Sequence, residues 1–575
     1  MGTVLLLDLT ARRFRSLTLD GGHFKGLLGG RALGVHLLGA LGAPDLDPLA
    51  PDAPVVFAVG PATGAGFWGT SRCGLFARSP ATEGFGESYC GGGLGEALAR
   101  TGWRAVVLVG AAPEPVWVEV HPEGANFRTA ADLWGRDCHA AERELLARAG
   151  RPGARAAVIG PAGENRVRLA LVSSDLWRQA GRTGLGAVLG AKMVKGLVFW
   201  GDRRPRVADP QGLAAFAREF YRAARGQPAV EGYRRWGTPQ LVAVMNRVGG
   251  FPSYYWRSGR APHWERIAAE YLVEKLGARP KACPRCFIAC AKLVELKAGP
   301  YAGLRLEGPE FETIYAFGGL CGIERLEDII YLNDLCDRLG LDTISAGNLA
   351  GLVIEAARQG RLDYPLGYND PHGVARLLDD IAHRRGLGAV LADGIRSAAA
   401  ELGLEDLAVH VKGLEPAGYD PRVLKGMALA YGTSPRGACH LRSTFYKAEL
   451  SGMVDPGQAS GKAELFADFE DRLTIHDCLI VCRFYRDLLA WSELTRLANT
   501  ATGFNFTTES LREVARNVLE RVREFNRRCG FTARDDTLPP RFLTEPLEDS
   551  GARLTREELE VMLAEYYAHR GWRTP

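Results

Sequence analysis

Three cysteines within eight residues, Cys283-Pro284-Arg285-Cys286-Phe287-Ile288-Ala289-Cys290, constrain this chain more than any other feature. Intervals of two and three residues let one loop aim three thiols at a common centre. Soft thiolates at that density suit zinc or an iron–sulfur cluster, and both want a fourth ligand. None follows nearby, so the fold must bring one from far along the chain, and Cys478 and Cys482 are the downstream candidates. Three merely buried cysteines on one helical turn fit this density poorly. The spacing by itself favours a cluster over zinc only modestly.

The rest of the chain bounds the setting. At 575 residues it is too long for one hydrophobic core. Lys plus Arg is 71 against 67 Asp plus Glu, a net charge of +4, which gives no reason to expect nucleic acid or a membrane surface as partner. No window reaches the roughly 18 apolar residues of a membrane helix. The N-terminus lacks the basic start, apolar core and cleavage site of a leader, so a cytoplasmic location is the default. Twelve cysteines in such a chain are not a disulfide framework.

Short apolar, β-branched runs at 55–59, 105–109, 115–120 and 156–159 predict strands in the first two hundred residues. Helical periodicity takes over near Pro210, with long candidates at 326–338, 345–359, 373–386, 388–403, 462–475, 508–527 and 555–569. The reading is an α+β chain: a β-rich N-terminal domain over 1–208, then mainly helical domains over 209–410 and 411–575. No internal repeat is visible.

An ordered set of segments then resembles the aldehyde:ferredoxin oxidoreductase family, from near the N-terminus to about residue 541. They begin with Gly29-Gly30-Arg31-Ala32-Leu33-Gly34, Gly60-Pro61-Ala62-Thr63-Gly64, Gly91-Gly92-Gly93-Leu94-Gly95 and Gly160-Pro161-Ala162-Gly163-Glu164-Asn165. Ala180-Gly181-Arg182-Thr183-Gly184-Leu185-Gly186, Glu307-Gly308-Pro309-Glu310-Phe311-Glu312-Thr313 and Asp337-Arg338-Leu339-Gly340-Leu341-Asp342 follow. Lys412-Gly413-Leu414-Glu415, Arg436-Gly437-Ala438-Cys439-His440-Leu441-Arg442 and Phe525-Asn526 complete the set. No single piece is decisive; their order and spacing are.

The resemblance implies tungsten or molybdenum held by the dithiolene sulfurs of two pterins (bis-molybdopterin, or tungstopterin), beside one 4Fe–4S cluster. It implies Cys283, Cys286, Cys290 and Cys482 as cluster ligands, with Cys478 as the alternative fourth. Arg72, Arg178, Arg436 and Arg442 match cofactor-contacting arginines, suited to phosphate by their fork geometry. Main-chain carbonyls at Tyr89 and Gln179 match the ligands of a Mg2+ ion bridging the pterin phosphates. Gly91 and Gly92 would let backbone approach the flat cofactor. Asp337, Leu341 and Asp342 form one pterin motif of the type Asp-x-x-Gly-Leu-Asp. Asp477, Val481 and Cys482 form its second copy, departing from the pattern at Ile480, where Gly is usual, and at Val481. Glu310 and His440 are the catalytic candidates, and Glu312, two residues further on, shares the carboxylate role. The implied reaction turns a small aldehyde into a carboxylic acid, with ferredoxin taking the electrons. The resemblance leaves open a homodimer, an added electron-transfer subunit, or another acid or acyl substrate. The competing reading is a zinc-stabilised scaffold.

Overall fold

In this computed structural model, residues 2–19 and 25–573 are described, and every candidate site residue falls within them. The first two hundred residues form two six-stranded sheets. The first runs β2 (Arg13–Leu19), β1 (Gly2–Asp8), β6 (Ala105–Val109), β3 (Val55–Ala58), β4 (Cys73–Arg78), β5 (Phe85–Cys90). Its β1–β6 pair is parallel and its other pairs are antiparallel. The second runs β8 (Gly124–Thr129), β7 (Val116–His121), β12 (Val194–Phe199), β9 (Arg155–Val158), β10 (Val172–Ser174), β11 (Arg178–Ala180). Here β7–β12 is the parallel pair.

The second sheet therefore repeats the first, strand for strand, six places later. The helices repeat too: Gly30–Ala40 follows β2 as Cys138–Ala149 follows β8, and Leu94–Thr101 follows β5 as Leu185–Ala191 follows β11. This corrects the expectation of no internal repeat. The trace left in sequence is short, Gly60-Pro61-Ala62 against Gly160-Pro161-Ala162 and Leu94-Gly95 against Leu185-Gly186. A sheet needs a pattern of burial rather than particular residues, so topology outlasts identity. Central β3 is a wholly buried apolar run and β12 is wholly buried, its one charge, Lys195, paired with Glu164, while edge strand β2 exposes Arg13 and Arg15 and so discourages further pairing.

Beyond Pro210 the chain is mainly helical, and the expected helices form at 326–339, 343–358, 371–383, 463–479, 508–528 and 556–570. The run expected over 388–403 breaks into Leu387–Leu391 and Gly394–Leu402, with Gly394 at φ +83. Asp209 caps Pro210–Ala224 from Gly212 N–H, and Thr507 and Thr555 open capping boxes. A small antiparallel sheet, β13 (Arg279–Lys281), β14 (Ala291–Glu295) and β15 (Arg305–Glu307), carries the cysteine loop between its first two strands.

The apolar cores cross the expected boundaries. The largest cluster spans Ala162 to Tyr567, drawing on both sides of residue 410. A second joins first-sheet residues such as Val56 and Phe76 to Phe216, Phe220, Ile475, Cys478, Leu479 and Val518. Helix Ala463–Leu479 thus begins in one core, through Phe466 and Ala467, and ends in the other. Its last turn is seated against helix Gly30–Ala40, as helix Leu326–Leu339 is seated against helix Cys138–Ala149. Each half of the N-terminal domain receives one helix end, and the candidate site lies there.

Candidate active site

The two helix ends share one backbone path. Gly340 (φ +81, ψ 43) and Ile480 (φ +53, ψ 48) each stop their helix in the left-handed region. Leu341 N–H then donates to Cys336 O and Val481 N–H to His476 O, both at 2.9 Å. The next residue is tied to the N-terminal domain in each case. Asp342 N–H donates to Leu169 O at 3.1 Å, and Cys482 N–H to Gly69 O at 2.9 Å. Ile480 keeps this path where Gly is usual, although a left-handed conformation costs a non-Gly residue about 1–2 kcal/mol. Its side chain, 1% exposed, is locked in place by packing.

Gly69 also explains how distant thiols meet. While its carbonyl accepts from Cys482, its N–H donates to Arg285 O at 3.1 Å inside the cysteine loop. Tyr485 completes the clamp: its hydroxyl donates to Cys286 Sγ at 3.4 Å and accepts from Phe287 N–H at 3.3 Å. Its ring packs edge-on against Phe287 at 5.1 Å. Cys283, Cys286, Cys290 and Cys482 all line one cavity of about 280 Å³. Cys478 lines neither this cavity nor its neighbour; it is fully buried beside Ala32. Among the described residues, no three His, Cys, Asp or Glu side chains form a group able to hold a single metal ion.

A second cavity of about 320 Å³ shares Arg72, Tyr89, Gln179, Gly181, Glu310, Glu312 and Cys482 with the first. The first is bounded by Arg178, Asp337, Leu341 and Asp342, the second by Arg436, His440, Arg442, Asp477 and Val481. Gly91 and Gly92 stand against the thiols: a Cβ at Gly91 would lie 3.2 Å from Cys283 Sγ, which accepts from Gly92 N–H at 3.3 Å.

Charged partners hold the walls. Arg72 crosses between the cavities, donating to Tyr89 O at 3.0 Å, with Nη1 3.9 Å from Cys482 Sγ. Gln179 and Asn333 donate to Asp337 at 2.8 and 2.9 Å, and burial, then Asp334, push that carboxyl well above its usual range. Asp342 caps helix Thr343–Arg358 and pairs with Arg182 at 3.2 Å. Asp477 is gripped by Arg442 at 2.8 Å and Arg483 at 2.5 Å. Arg178 pairs with Glu307. Arg436 donates to Glu87 O at 2.6 Å and to Cys439 Sγ at 3.0 Å. Burial opposes ionisation of the Cys439 thiol, yet Arg436, Arg442 and Arg182 bring it down to about 7.

The two carboxylate candidates separate. Glu310 accepts from the Thr238 hydroxyl, which in turn accepts from Phe311 N–H at 2.9 Å. Glu312 stands opposite His440, Oε1 to Nε2 at 3.3 Å, and takes Gly418 N–H on its other oxygen at 2.9 Å. Burial pushes the Glu312 carboxyl up to about 8, against the opposing pull of Gly418 and Arg182. Burial, then Arg182, Arg436, Arg486 and Arg442, hold His440 well below its usual range. Glu312 Oε1, His440 Nδ1, Arg442 Nε and Arg483 Nε are buried without a hydrogen-bond partner. Orphaned polar atoms along one cavity are what a polar guest would satisfy.

Sequence reasoning missed several residues here. Arg182 is buried and spans Asp342, Glu415 O (2.8 Å) and Ala438 O (3.1 Å), tying the first motif to the His440 loop. Glu87, held at about 2 against its burial by Arg31, Arg442 and Arg436, gathers the arginines of the second cavity. Tyr419 packs between His440 (5.6 Å) and Tyr446 (4.1 Å). Arg182 and Glu415 lie inside the resembling segments and could have been singled out; Glu87 and Tyr419 carry no local signal.

The model for the aldehyde ferredoxin oxidoreductase N-terminal domain matches residues 4–201, and that for domains 2 and 3 of the same family matches residues 215–574. The chain is 34% identical to a tungsten-containing aldehyde ferredoxin oxidoreductase of Pyrococcus furiosus, over 99% of this chain and 96% of that protein. A protein of the same description from Thermococcus kodakarensis is also 34% identical, over 95% and 92%. The fold resembles a chain of the active site complex BamBC of benzoyl coenzyme A reductase, with TM-score 0.84, 22% identity, and coverage of 100% and 94%. With both family models matched in order along nearly its whole length, this chain belongs to the aldehyde ferredoxin oxidoreductase family.

Proposed function

We propose that this protein oxidises aldehydes to carboxylic acids at a tungsten-pterin centre and passes the electrons through a 4Fe–4S cluster to a ferredoxin. The observation that carries the reading is the pair of joined cavities, each closed by one Asp-bearing helix end, with four thiols on one wall and Glu312–His440 on another. One pterin would be held by Arg178, Asp337, Leu341 and Asp342, the other by Arg436, Arg442, Asp477 and Val481. The carbonyls of Tyr89 and Gln179 would hold a bridging Mg2+. The residues fit: arginine forks and backbone suit phosphate arms, carboxyl groups suit an amino-rich ring edge, and the orphaned atoms await partners.

Four thiols around an open cavity suit a cluster of several atoms better than one zinc ion. Zinc draws its sulfurs to about 2.3 Å and so gathers them at a point. Bound tungsten supplies the two-electron oxidant. The chain's own residues do the rest: His440 orients the aldehyde oxygen, Glu312 takes a proton from the attacking water once it has lost its own, and the cavity wall excludes bulk solvent. Metal analysis of anaerobically purified protein, joined to an aldehyde panel with a viologen acceptor, tests this. Tungsten with about four irons per chain and aldehyde turnover is expected; zinc alone in a colourless protein would refute it.

A further inference from the structure

Arginines buried in this fold generally meet a carboxylate: Arg31 meets Glu87, Arg182 meets Asp342, Arg422 meets Asp420 and Arg541 meets Glu355. Arg104 does not. It stands just before β6 with its backbone pinned on both sides. Its N–H donates to Thr3 O at 2.8 Å, and its carbonyl accepts from Val59 N–H at 3.1 Å. The guanidinium, partly buried, donates to Pro61 O at 3.4 Å and to Arg206 O at 3.2 Å. Two neutral carbonyls occupy two of its five N–H donors and balance none of its charge. Burial pushes the group below its usual range, and among the described residues no carboxylate stands near enough to offset that. A cation drawn out of water without an anion is costly to keep.

The space beside it has room for that anion. Arg104 and Arg206 stand on the wall of a cavity of about 280 Å³, which shares no lining residue with the two active-site cavities. Leu28, Leu33, Val59 and Pro61 make a buried apolar floor, and Arg206 and Ala208 are exposed at the rim. Among the described residues no acidic side chain lines it. Gly29 does, and helix Gly30–Ala40 starts from that glycine without a side-chain cap, which puts the positive end of its dipole on the same wall. We propose that this cavity binds a small carboxylate with an apolar body, its head on Arg104 and Arg206 and its body against Leu28, Leu33 and Val59. A guanidinium fork matches a carboxylate through two parallel hydrogen bonds. The volume lies at the small end of ligand pockets and suits one ring or a short chain rather than a nucleotide. The apolar floor favours an organic acid over phosphate or sulfate, which would leave it uncovered. Such acids are the class that the proposed oxidation releases, but the binding does not depend on that reaction.

The probe is 4-bromobenzoate. Calorimetric titration of the anaerobic holoenzyme reads its affinity, and the anomalous signal of bromine in a soaked crystal reads its place. One molecule in this cavity with a submillimolar Kd is expected. Arg104→Gln, which keeps amide donors for the Pro61 and Arg206 carbonyls but removes the charge, should weaken binding at least tenfold. Two comparisons on the wild-type protein decide the matter even where that variant fails to fold. 4-Bromobenzamide has the same ring without the charge, and acetate has the head without the body; each should bind at least tenfold more weakly than 4-bromobenzoate. Equal affinity for the acid and its amide, bromine only in the active-site cavities, or binding weaker than millimolar would overturn the proposal. Absence of aldehyde turnover would bear on the function and leave this site untouched.

Discussion

Gly60→Ala should empty the cluster site without touching a ligand. A Cβ at Gly60 would sit 1.9 Å from Leu479 O and 2.4 Å from its carbon, where real contacts stay above 3.0 Å. The β3 turn and the end of helix Ala463–Leu479 must therefore part by about 1.1 Å, the difference between 3.0 and 1.9 Å. Neither side yields cheaply, since the obstacle is backbone. Overpacking of this kind costs about 1–3 kcal/mol, a modest loss in global stability. Its local effect is larger, because Cys482 stands three residues beyond Leu479, on the same helix exit, and metal–ligand distances tolerate only about 0.2 Å. We expect iron and acid-labile sulfide to fall below half of wild type, with the apparent Tm lowered by only a few degrees. Gly160→Ala, whose Cβ would meet Leu339 O at 2.5 Å in the matching place, should disturb the other helix end and spare the iron. Full iron content in Gly60→Ala, or equal iron loss in both variants, would refute the reasoning that these two contacts position separate motifs.

Cys482→Ser should reduce iron content and change the cluster's EPR signal, whereas Cys478→Ser, buried beside Ala32, should leave both intact and cost at most a few kcal/mol in denaturant titration. Glu312→Gln should lower kcat about 10²–10⁴-fold under steady-state assay, while Glu310→Gln should do less. With the Glu312 carboxyl raised to about 8, its basic form appears only as pH climbs, so kcat/KM should rise toward pH 8 and level off above it; a flat profile would remove Glu312 from the base role. Arg182→Met strands Asp342, Glu415 and Ala438 O in the interior, and urea unfolding should show a loss of about 3–5 kcal/mol.

Part of the site is legible in the residues alone. The triple-cysteine loop and the glycine-capped helix end at Gly340 are local patterns, set by residue chemistry and helix geometry, whereas the paired aspartate motifs entered through the family resemblance and the helix expected over 462–475 runs on to Leu479. Three matters lie beyond local pattern. Cys478 and Cys482 differ by one helical turn, and only the Gly69 bridge from loop to helix exit places the latter on the cavity wall. Glu310 and Glu312 differ by two residues, and the geometry of their short helix sends one to Thr238 and the other to His440. The internal topological repeat is hidden in the sequence because twelve strands share a pairing order while almost none of their residues are alike.

The sequence by itself determined which chemistry was available: soft thiols in a loop, carboxyl groups at helix ends, and arginines near glycine turns. Tertiary structure alone decided which of those groups meet, because partners such as Arg72 and Cys482 are 410 residues apart and are joined only by packing two cores onto one helix. Short-range order follows from spacing, whereas proximity across a chain follows from burial, which no local pattern encodes.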